Sequence, residues 1–360
     1  MGVRWHGKGA YGRGIVTTET VKAKSLYRAR EGDFTFNRID TQNGAFDVVP
    51  AELDGALATN EFPLYEVDEE EAEARFLLLN FRRPEVLHQI STLRAGSEGR
   101  ARWKEADFEA WIVPVPPLSV QRRIIELIDA VDDHIAALDA EADALDALLR
   151  GRKEELFARY AATGTPLPIG EVLEEVKRPI TVNPVAEYRQ IGIRSHGRGL
   201  FTKEAVTGES LGSKKVFWVE PGDLVINIVF AWEGAVAIVP PHIKGYCGSH
   251  RFPTYRRLDG GDAEFFRLFF SSKVGTRLLA ICSPGGAGRN RTLNRKRLMQ
   301  SPVGIPSASE QKRAICELQA LEAPVMAVRA EANRLRAVRA TLLSGLLDRT
   351  IEIESAELGV

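Results

Sequence analysis

Two short, glycine-rich segments of the chain carry closely spaced cationic side chains in the order Arg-x-His-Gly-basic-Gly. The cationic positions are Arg4, His6 and Lys8 in the first segment and Arg194, His196 and Arg198 in the second. Glycine permits a tight backbone turn, and such a turn brings cationic side chains close to a phosphate group. The segments therefore predict two phosphate-contacting turns. A structural turn whose charges are only solvated is an equally good interpretation.

Paired arginines recur at nearly the same place in each half of the chain, at an offset of 189 residues. These clusters contain Arg100, Arg102 and Lys104 in the first half and Arg289, Arg291 and Arg295 in the second. Arginine binds phosphates and can donate two hydrogen bonds to guanine. We expect these clusters to contact DNA, with Arg38 completing the predicted set. The alternative is a flexible surface loop.

Patterns that would indicate catalysis are missing from the sequence. There is no GxxxxGK[ST] phosphate loop, no GxSxG elbow and no spacing of metal ligands. A GxGxxG match at residues 7–12 lacks the strand and the helix that a dinucleotide site requires. The three cysteines are scattered, which indicates small core residues. We therefore expect neither a metal nor a cofactor in this chain.

The elements that must position the basic segments are two copies of one long heptad helix. Apolar residues recur in steps of four and three, which is the pattern of a coiled-coil seam. The predicted interface residues are Ile124, Ile128, Val131, Ile135, Leu138, Leu145 and Leu149 in the first helix and Leu318, Leu321, Val325, Val328, Leu335, Leu342 and Leu346 in the second. Arg339 interrupts the second seam, and the interior Pro324 predicts a kink or break just before it.

The repeat extends beyond the helices. Residues 1–50 align with 191–240 without a gap, and 16 of the 50 pairs are identical. Each globular half has the pattern of an α/β domain, with short β-rich runs after a Gly-Asp turn. Residues 164–190 precede the second copy and have no counterpart before Gly2. The first domain is therefore expected to be short at its front.

Charge is distributed unevenly although the whole 360-residue chain has a net charge of −1. Residues 186–300 carry 18 basic and 9 acidic side chains (+9), residues 1–115 carry 15 and 19 (−4), and residues 121–158 carry 5 and 10 (−5). One globular half is thus basic and the first long helix acidic. No apolar run reaches the roughly 18 residues of a membrane span, and no signal peptide is evident. We expect a cytoplasmic protein.

The combination of these features resembles the specificity (S) subunit of type I restriction–modification systems. The most specific parts are the proline-to-glutamine junctions Pro116–Gln121 and Pro306–Gln311 and the leucine-rich helix ends Leu145–Leu149 and Leu342–Leu347. The resemblance implies two α/β target recognition domains separated by an antiparallel pair of long coiled-coil helices, with an internal pseudo-two-fold repeat. The expected boundaries are 1–117 for the first recognition domain, 118–160 for the first helix, 161–304 for the second domain, 305–350 for the second helix and 351–360 for a tail.

The resemblance also implies a function. Each domain would bind one half of a bipartite site in double-stranded DNA, and the helices would set the gap between the halves. The chain would recruit two methyltransferase subunits, which use S-adenosylmethionine, and a larger complex would add two ATP-dependent restriction subunits. Two other interpretations remain open: a coiled-coil adaptor that binds proteins, and a stand-alone DNA-modifying enzyme. The sequence lacks the Asn/Asp-Pro-Pro-aromatic motif that a methylating enzyme would carry.

Overall fold

The computed structural model describes residues 1–15, 17, 23, 25–39, 41–93, 102–285, 291–351 and 353. Contacts divide the chain into two compact units, of which unit 1 comprises 1–139 and 330–360 and unit 2 comprises 140–329. Each of the two long helices contributes one part to each unit.

Unit 1 contains a small α/β domain. Its strands are β1 (Gly2–Val3), β2 (Ala10–Tyr11), β3 (Tyr27–Arg28), β4 (Phe34–Phe36), β5 (Phe46–Val48), β6 (Leu57–Ala58) and β7 (Leu64–Tyr65). Its short helices are α1 (Ala74–Phe81), α2 (Pro84–Leu93) and α3 (Glu105–Glu109), with 3-10 helices at Thr41–Asn43 and Ala51–Leu53. The first long helix, α4 (Leu118–Thr163), follows.

Unit 2 contains a larger domain of the same kind. Its strands are β8 (Thr165–Pro168), β9 (Leu173–Val176), β10 (Glu187–Tyr188), β11 (Ile191–Ile193), β12 (Leu200–Thr202), β13 (Val206–Thr207), β14 (Val216–Trp218), β15 (Leu224–Ile226), β16 (Val236–Ile238), β17 (Cys247–Ser249), β18 (Thr254–Arg257) and β19 (Pro302–Ile305). Its short helices are α5 (Gly208–Leu211), α6 (Glu264–Phe270), α7 (Lys273–Ile281) and α8 (Arg295–Gln300), with 3-10 helices at Ile169–Glu171, Ala231–Glu233 and Pro241–Ile243. The second long helix, α9 (Ala308–Leu347), comes last.

The strand pairings of unit 1 recur in unit 2 with every residue number raised by 190. β4 pairs antiparallel with β5 and β7, and Phe34 lies opposite Tyr65. β15 pairs in the same way with β16 and β18, and Leu224 lies opposite Tyr255. The hairpin β1–β2 corresponds to β11–β12, and the pair β3–β6 to β14–β17. The internal repeat predicted from the sequence is therefore confirmed.

Unit 2 has strands that the first copy does not show in its described residues. The segment 164–190 supplies β8, β9 and β10, which pair with β19, β18 and β13 respectively. β9 extends the central sheet to the order β16-β15-β18-β9, whereas the corresponding sheet of unit 1 has the order β5-β4-β7.

The two domains fill the same core positions with different side chains. In unit 1 the sheet contributes the buried rings of Phe34, Phe36 and Phe46, which pack with Trp103. In unit 2 the positions of these three phenylalanines hold buried aliphatic residues, namely Leu224, Ile226 and Val236. Fully buried apolar side chains of this size stabilise a domain by about 1.5–3 kcal/mol each.

In unit 1, α4 and α9 pack antiparallel and bury part of the predicted seam. Ile128 of α4 clusters with Leu343 and Leu346 of α9, and Phe76 of α1 completes the cluster. The predicted residues of this unit are buried at Ile124, Ile128, Ile135, Leu138 and Leu346 and half-buried at Val131, Leu335 and Leu342.

Unit 2 repeats this packing with the helices exchanged. Leu318 of α9 takes the place of Ile128, and Leu156 of α4 takes the place of Leu346, while Phe269 of α6 packs on both helices. The predicted residues of this unit are buried at Leu149, Leu318 and Val325 and half-buried at Leu145, Leu321 and Val328. The fold class, two α/β domains with an antiparallel pair of long helices, is confirmed.

Ion pairs flank the seam in each unit. In unit 1, Arg339 of α9 donates to Asp132 of α4 at 2.7 Å. In unit 2, Arg329 lies 3.5 Å from Asp146, and Arg152 of α4 donates to Glu317 of α9. Arg339 thus interrupts the apolar pattern because its guanidinium binds a carboxylate of the partner helix.

α9 continues through Pro324, so the predicted break before this residue is wrong. Leu321 and Val325, on either side of the proline, both belong to the apolar cluster of unit 2. Packing on both sides of the proline holds the helix together where the proline removes one backbone hydrogen bond.

A buried glutamine fixes the start of each long helix. The Gln121 amide donates to the carbonyl oxygen of Pro116 at 2.7 Å and to that of Glu71 at 2.9 Å, and its own oxygen accepts from the N–H of Glu73 at 2.9 Å. The Gln311 amide likewise donates to Pro306 at 2.9 Å. The proline-to-glutamine junction noted in the sequence is therefore a hydrogen-bonded clasp.

The model contains, within its described ranges, no helix of the length and hydropathy needed to cross a bilayer.

Replacing Ile128 by Ala should lower the free energy of unfolding by about 2–5 kcal/mol, because a fully buried side chain in the helix pair leaves a cavity. Urea unfolding followed by circular dichroism would measure the change. Val338→Ala is the matched control, since Val338 lies on α9 but is 54% exposed, and it should change stability by less than about 0.5 kcal/mol. Equal effects of the two substitutions would contradict the observed packing.

Candidate nucleic-acid interface

The two Arg-x-His-Gly-basic-Gly segments form the same hairpin turn. The first joins β1 to β2, and the N–H of Arg4 donates to the carbonyl oxygen of Gly9 at 3.0 Å. The second joins β11 to β12, and Arg194 donates to Gly199 at 3.0 Å. The cationic side chains of both turns are exposed.

Each turn is held by backbone hydrogen bonds to a neighbouring 3-10 helix. In unit 1 the N–H of His6 donates to Asn43 at 2.6 Å, and the next N–H donates to Gly44 at 3.1 Å. In unit 2, His196 donates to Glu233 at 2.7 Å, with the next bond to Gly234 at 3.0 Å. The shape of the turn therefore depends on backbone atoms, and its side chains remain available for binding.

Both histidines occupy the left-handed region of backbone conformation, with φ of 59° at His6 and 61° at His196. Residues other than glycine rarely adopt this conformation, although histidine and asparagine do so more often than most. Its occurrence at the same place in two copies shows that the surrounding hydrogen bonds impose it.

The leading arginine of each turn lies over an aromatic ring of the following strand. The guanidinium carbon of Arg4 is 4.2 Å from the centre of the Tyr11 ring, and that of Arg194 is 4.9 Å from the centre of the Phe201 ring. Stacking of this kind orients a guanidinium without neutralising it. In the described part of the chain, no carboxylate forms an ion pair with either arginine.

The first turn borders a shallow concavity of about 500 Å³. Its lining includes Arg4, Lys8 and Arg13 together with the half-exposed ring of Trp5. Beneath the turn, Asp47 accepts from the N–H of Ala10, and the Arg82 side chain contacts Asp47 at 3.3 Å. Burial lowers the pKa of Arg82 below its usual value. An anion or a flat aromatic group would fit this surface.

The second turn lies beside a further arginine. The guanidinium carbon of Arg291 is 5.1 Å from the centre of the Trp232 ring, and Trp232 directly precedes the Glu233 that anchors the turn. Arg194, His196, Arg198 and Arg291 therefore belong to adjoining elements of unit 2.

Other predicted residues are engaged in ion pairs within their own unit. Arg38 lies 3.0 Å from Glu105, Arg102 lies 2.8 Å from Glu61, and Arg295 lies 2.6 Å from Glu175. The hydrogen bond to Glu61 also raises the pKa of Arg102. Lys104 is exposed at the start of α3. Arg100 and Arg289 fall outside the described residues.

Comparison with solved structures gives two matches to type I restriction–modification proteins. A chain from a study of complex assembly and conformational transition of the type I R-M system is 18% identical, with a TM-score of 0.54 over 89% of this chain and 82% of that one. The type I S subunit from M. genitalium is 13% identical, with a TM-score of 0.54 over 92% of this chain and 91% of that one. No family model and no curated protein sequence matches.

The chain has the fold of a type I specificity subunit.

Within this fold, the sequence signals locate the turns but not the groups that support them. The aromatic partners Tyr11 and Phe201 share the offset of 190 residues and could have been recognised by it. The 3-10 helices that anchor the turns lie about 37 residues farther along the chain, too far for local patterns to reveal the contact. No cluster of three or more His, Cys, Asp or Glu suited to a metal ion occurs in the described ranges.

Replacing His196 by Val should destabilise the protein by about 1–2 kcal/mol, because a β-branched residue is strained at positive φ. Differential scanning calorimetry would report this as a lower unfolding temperature. The control is His196→Asn, which tolerates the left-handed region and should unfold within error of the unaltered protein. A valine variant as stable as the asparagine variant would argue against the turn geometry described above.

Proposed function

We propose that this chain is the DNA sequence-specificity subunit of a type I restriction–modification complex. The observation that carries the proposal is the pair of identical turns, each presenting an arginine that is stacked on a ring and free of carboxylate partners among the described residues. Such groups are suited to bind phosphates and base edges. The fold shared with type I specificity subunits supports the same assignment.

Two related binding surfaces on one chain suit a target made of two parts. Because the turns share their backbone but differ in the surrounding side chains, the two half-sites should differ in sequence. Unit 2 should bind more strongly through charge alone, since its domain carries the +9 balance counted above, whereas Arg38 and Arg102 of unit 1 are paired with carboxylates. The proposed ligand is therefore double-stranded DNA with a bipartite site.

The partners proposed for this chain are two methyltransferase subunits, with two restriction subunits in a larger complex. The first similar structure concerns complex assembly in a type I system, which supports such partners. In this proposal the chain supplies recognition without catalysis in the cytoplasm, and S-adenosylmethionine and ATP bind to the partner subunits.

Replacing Arg194 by Ala should weaken DNA binding and reduce the slope of log Kd against log salt concentration by about 0.9, as expected for the loss of one phosphate contact. Fluorescence anisotropy with a labelled duplex at several salt concentrations would measure both quantities in the complex with methyltransferase subunits. Arg256→Ala is a suitable control, because that arginine pairs with the buried Asp223 beside the sheet. An unchanged salt slope for the Arg194 variant would remove the turn from the DNA interface.

The assignment as a whole is tested by mapping methylated DNA in cells that carry or lack this gene. A bipartite motif that is methylated only in the presence of the gene is the expected result. Methylation that is the same in both strains, together with salt-independent failure of the complex to bind duplex DNA, would favour the protein-adaptor function instead.

A further inference from the structure

The residue that anchors each turn has the same backbone role in both units but a different side chain. The carbonyl oxygen of Asn43 accepts from His6, and that of Glu233 accepts from His196. Both residues end a 3-10 helix and both are half-exposed. Because the backbone alone holds the turn, the side chain at this place is free to serve another purpose.

The carboxylate of Glu233 is held in position although it stands among cationic side chains. The Ser195 hydroxyl donates to its Oε2 atom at 2.6 Å, and Arg198 donates to the carbonyl oxygen of the same serine at 3.2 Å. Within the described residues, Glu233 forms no ion pair with Arg194, Arg198 or Arg291. Its second oxygen therefore keeps full capacity to accept a hydrogen bond.

An unpaired carboxylate in such a place opposes the binding of phosphates, because like charges repel. It is compatible with DNA binding if it accepts a hydrogen bond from an amino group on a base edge. In the major groove the N4 amino group of cytosine is the usual partner of a glutamate.

The side chain of Asn43 has the complementary property of an uncharged donor and acceptor. In the described part of the chain it makes no hydrogen bond, and Trp5 stands where unit 2 has Ser195. A free asparagine amide can bond to both N6 and N7 of adenine.

Resting on the proposed function, we infer that this anchoring position specifies one base in each half-site. Glu233, oriented by Ser195, specifies a cytosine in the half-site bound by unit 2, and Asn43 specifies an adenine in the half-site bound by unit 1. The two halves of the chain thereby acquire different specificities at one shared backbone position.

The test is selection of bound duplexes from a randomised pool by the complex of the full chain with its methyltransferase subunits. Glu233→Ala should abolish the preference for cytosine at one position of one half-site, a change of roughly 5- to 150-fold in relative affinity, and leave the other half-site unchanged. Glu233→Gln should convert that preference to adenine, since glutamine pairs with adenine. Asn43→Ala should relax one adenine position in the other half-site only.

Glu209→Ala, an exposed acid on α5 of the same unit, is the matched control and should keep the original motif. Unfolding temperatures of all variants would show that the isosteric Glu233→Gln protein is folded. An unaltered motif for Glu233→Ala and Glu233→Gln, or a loss of affinity that is equal for all sequences, would overturn the inference while the proposed function stands. A complex of the unaltered chain that selects no bipartite motif would overturn both.

Discussion

The burial of one apolar seam between α4 and α9 is the constraint on which the other elements depend. Within each unit, the globular domain packs a helix on this seam: Phe76 of α1 in unit 1 and Phe269 of α6 in unit 2. A heptad pattern alone permits several registers, but the arginines of α9 and the carboxylates of α4 meet only in one of them. The pair of Arg339 with Asp132 and that of Arg329 with Asp146 are each half-exposed or more, so they contribute little to stability. Their effect is to select the register, as buried or flanking charges do in other helix pairs.

The repeat of 190 residues separates what must be kept from what can vary. Strand register, the positive φ of the histidines and the backbone anchors of the turns are the same in both copies. Core side chains and the residues around the turns differ, as aromatic against aliphatic residues and as Asn43 against Glu233. A loop whose shape depends on backbone hydrogen bonds tolerates such substitutions, because no side chain is needed to maintain it. This property suits a protein whose two domains bind different sequences.

Much of this architecture could be predicted from the sequence because it is recorded as periodicity. The seam, the offset and the clasp residues Gln121 and Gln311 are all local or repeated patterns. Pairing between distant charges is not recorded in that way. The acidic balance of α4 indicated only a charged face, whereas Asp132 and Asp146 bind arginines of α9. Pro324 was misleading for a related reason, since helix propensity is a local quantity and the packing of Leu321 and Val325 outweighs it.

The same distinction explains why basic residues of equal charge differ in what they can bind. Arg38, Arg102 and Arg295 each face a carboxylate within their unit, and a DNA phosphate could attract them only by displacing that partner. Arg4 and Arg194 instead face aromatic rings, which orient the guanidinium and leave its charge uncompensated. A cation held in place without a counter-ion loses little conformational freedom on binding and exchanges no existing ion pair. The useful criterion for a phosphate contact in this fold is therefore the partner of the arginine in the folded chain, which neither the local density of basic residues nor the net charge reveals.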